Sequence, residues 1–207
     1  TVRGHLAEDV DIKNKEGDRV WQRLHAQSTD KLVVFATNGR FYTLPCDRLP
    51  GGRGFGEPLR LMIDLGNEHD LVELMVHQPG QKLLVAASDG RGFVVGTDEI
   101  VAQKRGGRQV LNVSGEVEAA VCVSAEGDRV AVVGENHKLV VFGLDELPVM
   151  TRGRGVILQK YRDGSLSDAC CFSGDEGLTW RQGSRLRTLT EFEDWISKRG
   201  NAGRLAP

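Results

Sequence analysis

The chain has 207 residues, 40% of them hydrophobic and 27% charged, enough apolar content to bury a core as one domain or two. A formal net charge of −2 excludes a uniformly basic nucleic-acid binder, and the four cysteines, Cys46, Cys122, Cys170 and Cys171, form no C-x-x-C pair, so they read as reduced, mostly buried thiols. No apolar run reaches the roughly 18 residues of a membrane span, and the polar start Thr1-Val2-Arg3-Gly4-His5 lacks a signal-peptide core, so a cytosolic protein with no membrane partner is expected.

Residues 1–30 are polar and irregular, with a turn at Lys15-Glu16-Gly17-Asp18 and a candidate strand from Val20 to Leu24. Asp9-Val10-Asp11-Ile12-Lys13-Asn14 begins like a calcium loop, but Lys13 takes a ligand position and Asn14 the place of the sharp-turn glycine, so an ordinary turn is expected. From Asp30 a module becomes legible. The run Leu32-Val33-Val34-Phe35 leads through Thr37-Asn38-Gly39-Arg40 to Phe41-Tyr42-Thr43-Leu44, and Asn-Gly between two such runs signals a hairpin. Asp47-Arg48-Leu49 and a glycine-rich bend come next, and Leu59 to Leu65 reads as a further strand.

The second unit repeats this order with Lys82 to Ala87, the turn Ser88-Asp89-Gly90-Arg91, Phe93-Val94-Val95, a bend, and Val110 to Val113. A third has Val130 to Val133, the turn Gly134-Glu135-Asn136-His137, Leu139 to Phe142, a bend, and Val156-Ile157-Leu158. The fourth is looser, with Leu178-Thr179-Trp180, Leu186 to Leu189, and a bend ending at Gly203-Arg204; the spacing of Phe192, Trp195 and Ile196 predicts a short helical turn. The apolar residue before each bend, Leu49, Ile100, Leu147 and Phe192, recurs at intervals of 51, 47 and 45 residues. Such a period belongs to propeller blades, which cover their faces by packing radially on one another. Continuous apolar runs fit strands buried on both faces.

The bends share a composition: Gly51-Gly52-Arg53-Gly54, Lys104-Arg105-Gly106-Gly107-Arg108, Arg152-Gly153-Arg154-Gly155, and Lys198-Arg199-Gly200 leading to Gly203-Arg204. They lie in the basic parts of the chain. Residues 31–60 carry five Lys/Arg against two Asp/Glu, residues 81–113 five against three, and residues 151–207 ten against seven, whereas residues 61–80 hold four acids and no base. Residues 114–150 are also acidic, with seven acids against two bases. One Gly-Arg bend is ordinary turn chemistry with a solvated charge. Four at blade spacing favour a basic rim, with Arg53, Lys104, Arg105, Arg108, Arg152, Arg154, Lys198, Arg199 and Arg204 as candidate phosphate contacts. Arg40, Arg91, Arg181, Arg185 and Arg187 stand at or after hairpin turns and read first as solvated charges. The five histidines show no metal-ligand spacing, and no P-loop, nucleophile elbow or dinucleotide turn is present.

In the ordered blocks Leu49 to Pro58, Gln81 to Val85, Leu147-Pro148 and Arg152 to Gly155, the chain resembles the C-terminal domain of the A subunit of DNA topoisomerase IV. The resemblance covers essentially all 207 residues. It implies an all-β fold, the β-pinwheel, a propeller-like disc whose blades exchange strands. Residues 1–207 would form a single DNA-binding domain of five four-stranded blades, the first truncated or irregular and built from residues 1–30. The implied role is to bind and bend duplex DNA without sequence preference, presenting the transported segment in decatenation and relaxation by a bacterial type II topoisomerase. The catalytic tyrosine and the ATP and magnesium sites of that enzyme lie in other domains, so no catalytic residue, metal or cofactor is expected here. Tyr42 and Tyr161 inherit no catalytic role. Implied partners are double-stranded DNA, a chromosome-organising protein, the rest of the topoisomerase IV A chain, and the ATPase B subunit, with a cytoplasmic, nucleoid-associated location. The related gyrase A protein wraps DNA through a Q-R-R-G-G-R-G-type box, and the corresponding stretch Leu6 to Asp11 is acidic. A gyrase-type wrapping domain and a protein-interaction propeller remain the alternatives.

Overall fold

The computed structural model describes residues 16, 17, 19–51 and 54–207. Among them the fold is all-β, with short 3-10 turns and no α-helix between strands. The strands in the first half are β1 (Lys31–Ala36), β2 (Arg40–Pro45), β3 (Leu71–Val76), β4 (Lys82–Ala87), β5 (Arg91–Gly96), β6 (Arg108–Gln109) and β7 (Ala119–Ser124). The second half contributes β8 (Arg129–Gly134), β9 (Lys138–Gly143), β10 (Val156–Ile157), β11 (Leu166–Phe172), β12 (Leu178–Gln182), β13 (Arg185–Leu189) and β14 (Arg204–Leu205).

These strands form sheets in the orders β3-β1-β2-β6, β10-β5-β4-β7 and β11-β8-β9-β14, with β12-β13 as a two-stranded fourth. All strand pairings are antiparallel. Each four-stranded blade is a hairpin completed from later in the chain. A third strand joins the hairpin's first strand, and a two-residue strand that has already passed through the next hairpin returns to the hairpin's second strand. Blades thus exchange strands, the arrangement of a β-pinwheel.

The period-2 geometry of a strand explains the burial. Val33 and Phe35 of β1 pack with Val85, Phe93 and Val95 of blade two, whereas Leu32, Val34 and Ala36 point to the opposite face of blade one. Leu84, Ala86 and Val94 in turn meet Val130, Val132, Val140 and Phe142 of blade three, whose Ala131, Leu139 and Val141 meet Phe172, Leu178 and Phe192. Continuous apolar runs are therefore shared between two interblade cores. The Phe35 and Phe41 rings stack at 4.4 Å and Phe172 meets Phe192 edge-on at 5.2 Å. Each fully buried Val or Leu contributes on the order of 1.5–3 kcal/mol.

The hairpin turns of the first three blades are built alike. The side-chain Oδ1 of Asn38, Asp89 or Asn136 accepts the N–H of Arg40, Arg91 or Lys138 at 3.0–3.1 Å, closing an Asx turn. The intervening residue is left-handed: Gly39 and Gly90 in the first two blades, and His137 at φ 58° in the third.

Several expectations change. Leu59 to Leu65 is not a strand but a 3-10 turn (Leu59–Leu61) and a loop. Its buried Leu59, Ile63 and Leu65 cover the outer face of blade one, where apolar side chains need a lid rather than a ladder. Val20 to Leu24 runs without strand pairing, although Gln22 Nε2 donates to the Leu74 carbonyl of β3 at 3.0 Å. The segments after the second to fourth bends join the preceding blade, not their own. Four hairpins are present among the described residues, and most of residues 1–30, from which a fifth, irregular blade is expected, lies outside them, as do the acidic stretch Leu6 to Asp11 and the calcium-like segment Asp9 to Asn14. The helical turn expected near Phe192 is Glu193–Trp195.

Candidate nucleic-acid interface

The bends at residues 104–107, 151–155 and 198–203 occupy equivalent positions, fixed by the register of the blade to which each returns. Gly107, Gly155 and Gly203 all have positive φ, and each abuts the carbonyl of the second residue of a hairpin's second strand: Phe41, Gly92 and Leu139 respectively. A Cβ at any of the three would lie under 3 Å from that oxygen. The glycine is thus required by the returning strand itself, a reason separate from any approach of DNA. The turn carbonyl of the receiving hairpin then holds the chain beyond the bend. Gly39 accepts the N–H groups of Val110 and Leu111, Gly90 that of Leu158, and His137 that of Ala206, at 2.7–3.1 Å.

Around this frame the nine candidate cations differ in their surroundings. Arg53 lies outside the described residues. Lys104 and Lys198 are exposed and have no ion pair among the described residues. Arg152 is exposed and its Nε donates to the neutral Asn112 side chain at 3.3 Å.

Four others face carboxylates. Arg105 Nη2 donates to the Leu61 carbonyl at 2.8 Å while its Nε lies 3.5 Å from Asp64. Arg108 meets Glu99 at 3.1 Å, Arg154 meets Asp89 at 3.5 Å and Arg204 meets Asp194 at 4.0 Å. These arginines remain exposed, so the pairs are worth little to stability.

Arg199 is different. It is half-buried, its Nη1 donates to the Ile157 carbonyl at 2.6 Å, its backbone N–H donates to Glu146 at 3.1 Å, and its Nε is buried without a partner. The side chain ties the last bend to β10, a structural position that the sequence pattern did not separate from its neighbours.

Arg40 also supports a bend, its Nη1 donating to the Gly106 carbonyl at 3.0 Å. Arg181, Arg185 and Arg187, which the sequence pattern ranks behind the bend cations, are exposed on β12 and β13 and carry no ion pair among the described residues. Among the described residues no strand flanks this hairpin, a feature invisible in the local sequence.

No group of three or more His, Cys, Asp or Glu able to hold a metal occurs among the described residues. Burial raises the Cys122 thiol and the Tyr161 hydroxyl, and pushes Cys170 up to about 11 and Cys171 up to about 12. These groups are protonated at neutral pH and unsuited to nucleophilic work. Tyr161 instead donates to Gln159 Oε1 at 3.1 Å, and Gln159 Nε2 bridges the Lys138 and Ala202 carbonyls across blade three and the last bend.

A propeller whose blades receive strands from their successors defines the β-pinwheel class of domain. Residues 81–124 and 128–166, spanning most of blades two and three, match the family described as DNA gyrase C-terminal domain, beta-propeller. Over all 207 residues the chain is 41% identical to the A subunit of DNA topoisomerase 4 from Caulobacter vibrioides and 39% identical to that from Rickettsia bellii. It spans about a quarter of those relatives, 27% and 28% of their lengths. The solved C-terminal domain of E. coli ParC shares the fold, with a TM-score of 0.83 at 23% identity over 96% of this chain and 86% of that one. The chain belongs to the family of C-terminal domains of the topoisomerase IV A subunit.

Proposed function

We propose that residues 1–207 form one DNA-binding domain, which holds duplex DNA by its phosphates at a rim made by the bends. The observation that carries this reading is the repetition of cationic bends at one register in successive blades: Lys104 with Arg105 and Arg108, Arg152 with Arg154, and Lys198 with Arg204. Exposed Lys and Arg on backbone turns suit phosphate contacts, and the bends offer no recognition helix to carry side chains into a groove, so binding is independent of sequence. The acidic stretches at 61–80 and 114–150 interrupt the positive charge. An arc of cations bends a duplex shallowly, because wrapping costs several kcal/mol that few contacts would offset.

In this reading the chain serves a bacterial, ATP-dependent type II topoisomerase in the cytoplasm, at the nucleoid. It presents the transported duplex for decatenation and relaxation, beside the rest of the topoisomerase IV A chain and the ATPase B subunit, with a chromosome-organising protein as a further partner. It supplies no catalytic group and needs no cofactor of its own.

Titration of duplex binding against salt tests this. With four to six phosphates neutralised, log affinity falls against log salt with a slope of about −4 to −5, and unrelated duplexes compete equally. A slope near zero, or discrimination of several kcal/mol between sequences, would overturn the reading.

A further inference from the structure

The Asx turns of the first three blades require one acceptor oxygen, and Asn38 and Asn136 supply it without charge. Blade two has Asp89 in that place, and its Oδ1 makes the same bond to the Arg91 N–H at 3.1 Å. The negative charge is surplus to the turn. Asp89 Oδ2 lies 3.5 Å from Arg154 Nη2 and 3.8 Å from Arg91 Nε, and its side chain is 26% exposed against 60% for Arg154. Arg154, too, has no counterpart in the other two strand-delivering bends, where the residue before the glycine is Gly106 or Ala202. Each member of the pair departs from its own repeat, and the two departures meet.

We infer that Asp89 is a built-in competitor for phosphate at the 151–155 bend, holding Arg154 in an internal ion pair that DNA must displace. This rests on the DNA-binding reading above. When a phosphate takes Arg154, the Asp89 charge is left to solvent and to Arg91 and recruits a cation. The counterion that DNA releases at this contact is then offset by one taken up at Asp89. Arg152, which donates to neutral Asn112 and has no ion pair among the described residues, carries no such penalty. Asp64 and Glu99 stand likewise beside Arg105 and Arg108, but at 61% and 46% exposure they are more screened. Asp89 is anchored by its own turn and stays in place.

The test measures duplex binding by the 207-residue chain across salt for wild type, Asp89→Asn, Arg154→Ala and the double variant. Asparagine preserves the turn, as Asn38 and Asn136 demonstrate, so Asp89→Asn keeps the wild-type melting temperature within a few degrees. At about 0.1 M salt it binds roughly 2–5-fold tighter than wild type, and its salt slope is steeper by about 0.9. In the Arg154→Ala background the gain falls to half or less, and Asp175→Asn, which removes an exposed carboxylate not paired with a bend arginine, gives none. If wild type binds and Asp89→Asn binds no tighter, or if the gain persists in full without Arg154, the competitor assignment is overturned and DNA binding stands. If neither protein binds duplex at low salt, the DNA-binding reading fails and takes this one with it.

Discussion

Blades two and four start from the same element and end differently. In blade two the β4–β5 hairpin is flanked by β7 and β10, and four consecutive residues of β5 and five of β4 are buried. In blade four the β12–β13 hairpin is as regular, paired from Leu178↔Leu189 to Gln182↔Arg185, yet β13 is exposed over four of its five residues. The contrast lies in the supply of strands: β10 reaches blade two only after the third hairpin, and no strand among the described residues reaches blade four. A blade here is buried by its successor. The bends therefore combine two separable features, a glycine that seats the returning strand and cations that, Arg199 apart, are exposed.

The largest effect expected from breaking this difference is on the glycine. Gly155→Ala places a Cβ against the Gly92 carbonyl at φ 73° and prevents β10 from seating; Gly183→Ala, at φ 61° in the blade-four turn, meets open space. Left-handed strain costs about 1–2 kcal/mol in both, and the clash adds about 1–3 kcal/mol at Gly155 alone. Denaturant unfolding should give a loss of roughly 2–5 kcal/mol for Gly155→Ala against about 1–2 for Gly183→Ala. Equal losses would mean that the returned strand does not stabilise blade two.

Truncation of the hairpins gives a smaller contrast. Val85 in β4 is fully buried between blades one and two, and Val85→Ala should cost about 2–3 kcal/mol through lost burial and a residual cavity. Leu186 in β13 is 66% exposed, and Leu186→Ala should cost under about 0.5 kcal/mol. If Leu186→Ala were as costly, blade four would have to be covered in solution by a surface other than those described.

The hairpins, the bends and the blade period are legible in the sequence because their signals are local. Asn38-Gly39 lies between two apolar runs, and Gly106-Gly107 stands beside its arginines. Three strands are not legible, because each forms a half-buried edge with neither a continuous nor an alternating pattern: Leu71–Val76 carries Glu73, and Leu166–Phe172 reads L-S-D-A-C-C-F. Between them Ala119–Ser124 is small and mixed in burial. Leu59 to Leu65 resembles a strand because apolar residues that cap a face can alternate as strand residues do. The sorting of the bend cations is also hidden. Arg154 and Asp89 are 65 residues apart, and Arg199 turns inward to a carbonyl of the second-blade edge strand. Such contacts arise from the strand exchange, not from the bend's own composition.

The smallest predicted difference concerns DNA. Arg152 and Arg154 sit on a bend clamped at both sides, since Gly153 N–H donates to the Val110 carbonyl at 2.9 Å and Asn112 N–H donates to the Gly153 carbonyl at 2.8 Å. Their guanidinium groups are exposed on a held backbone, so Arg152→Ala with Arg154→Ala should leave stability within about 0.5 kcal/mol. If both arginines contact phosphates as proposed, Arg154 in competition with Asp89, the salt slope should become shallower by about 1–2. Arg181 and Arg187 make the matching pair in blade four. Arg181 lies opposite Leu186 and Arg187 opposite Trp180, which puts the two charges on different faces of a two-stranded ribbon. A duplex lying on one face meets one of them, so Arg181→Ala with Arg187→Ala should change the slope by no more than about 0.9. If this pair mattered as much as the bend pair, DNA would be held at the β12–β13 hairpin as well as at the bends, and strand exchange, which brings that hairpin no further strand among the described residues, would be shaping the interface.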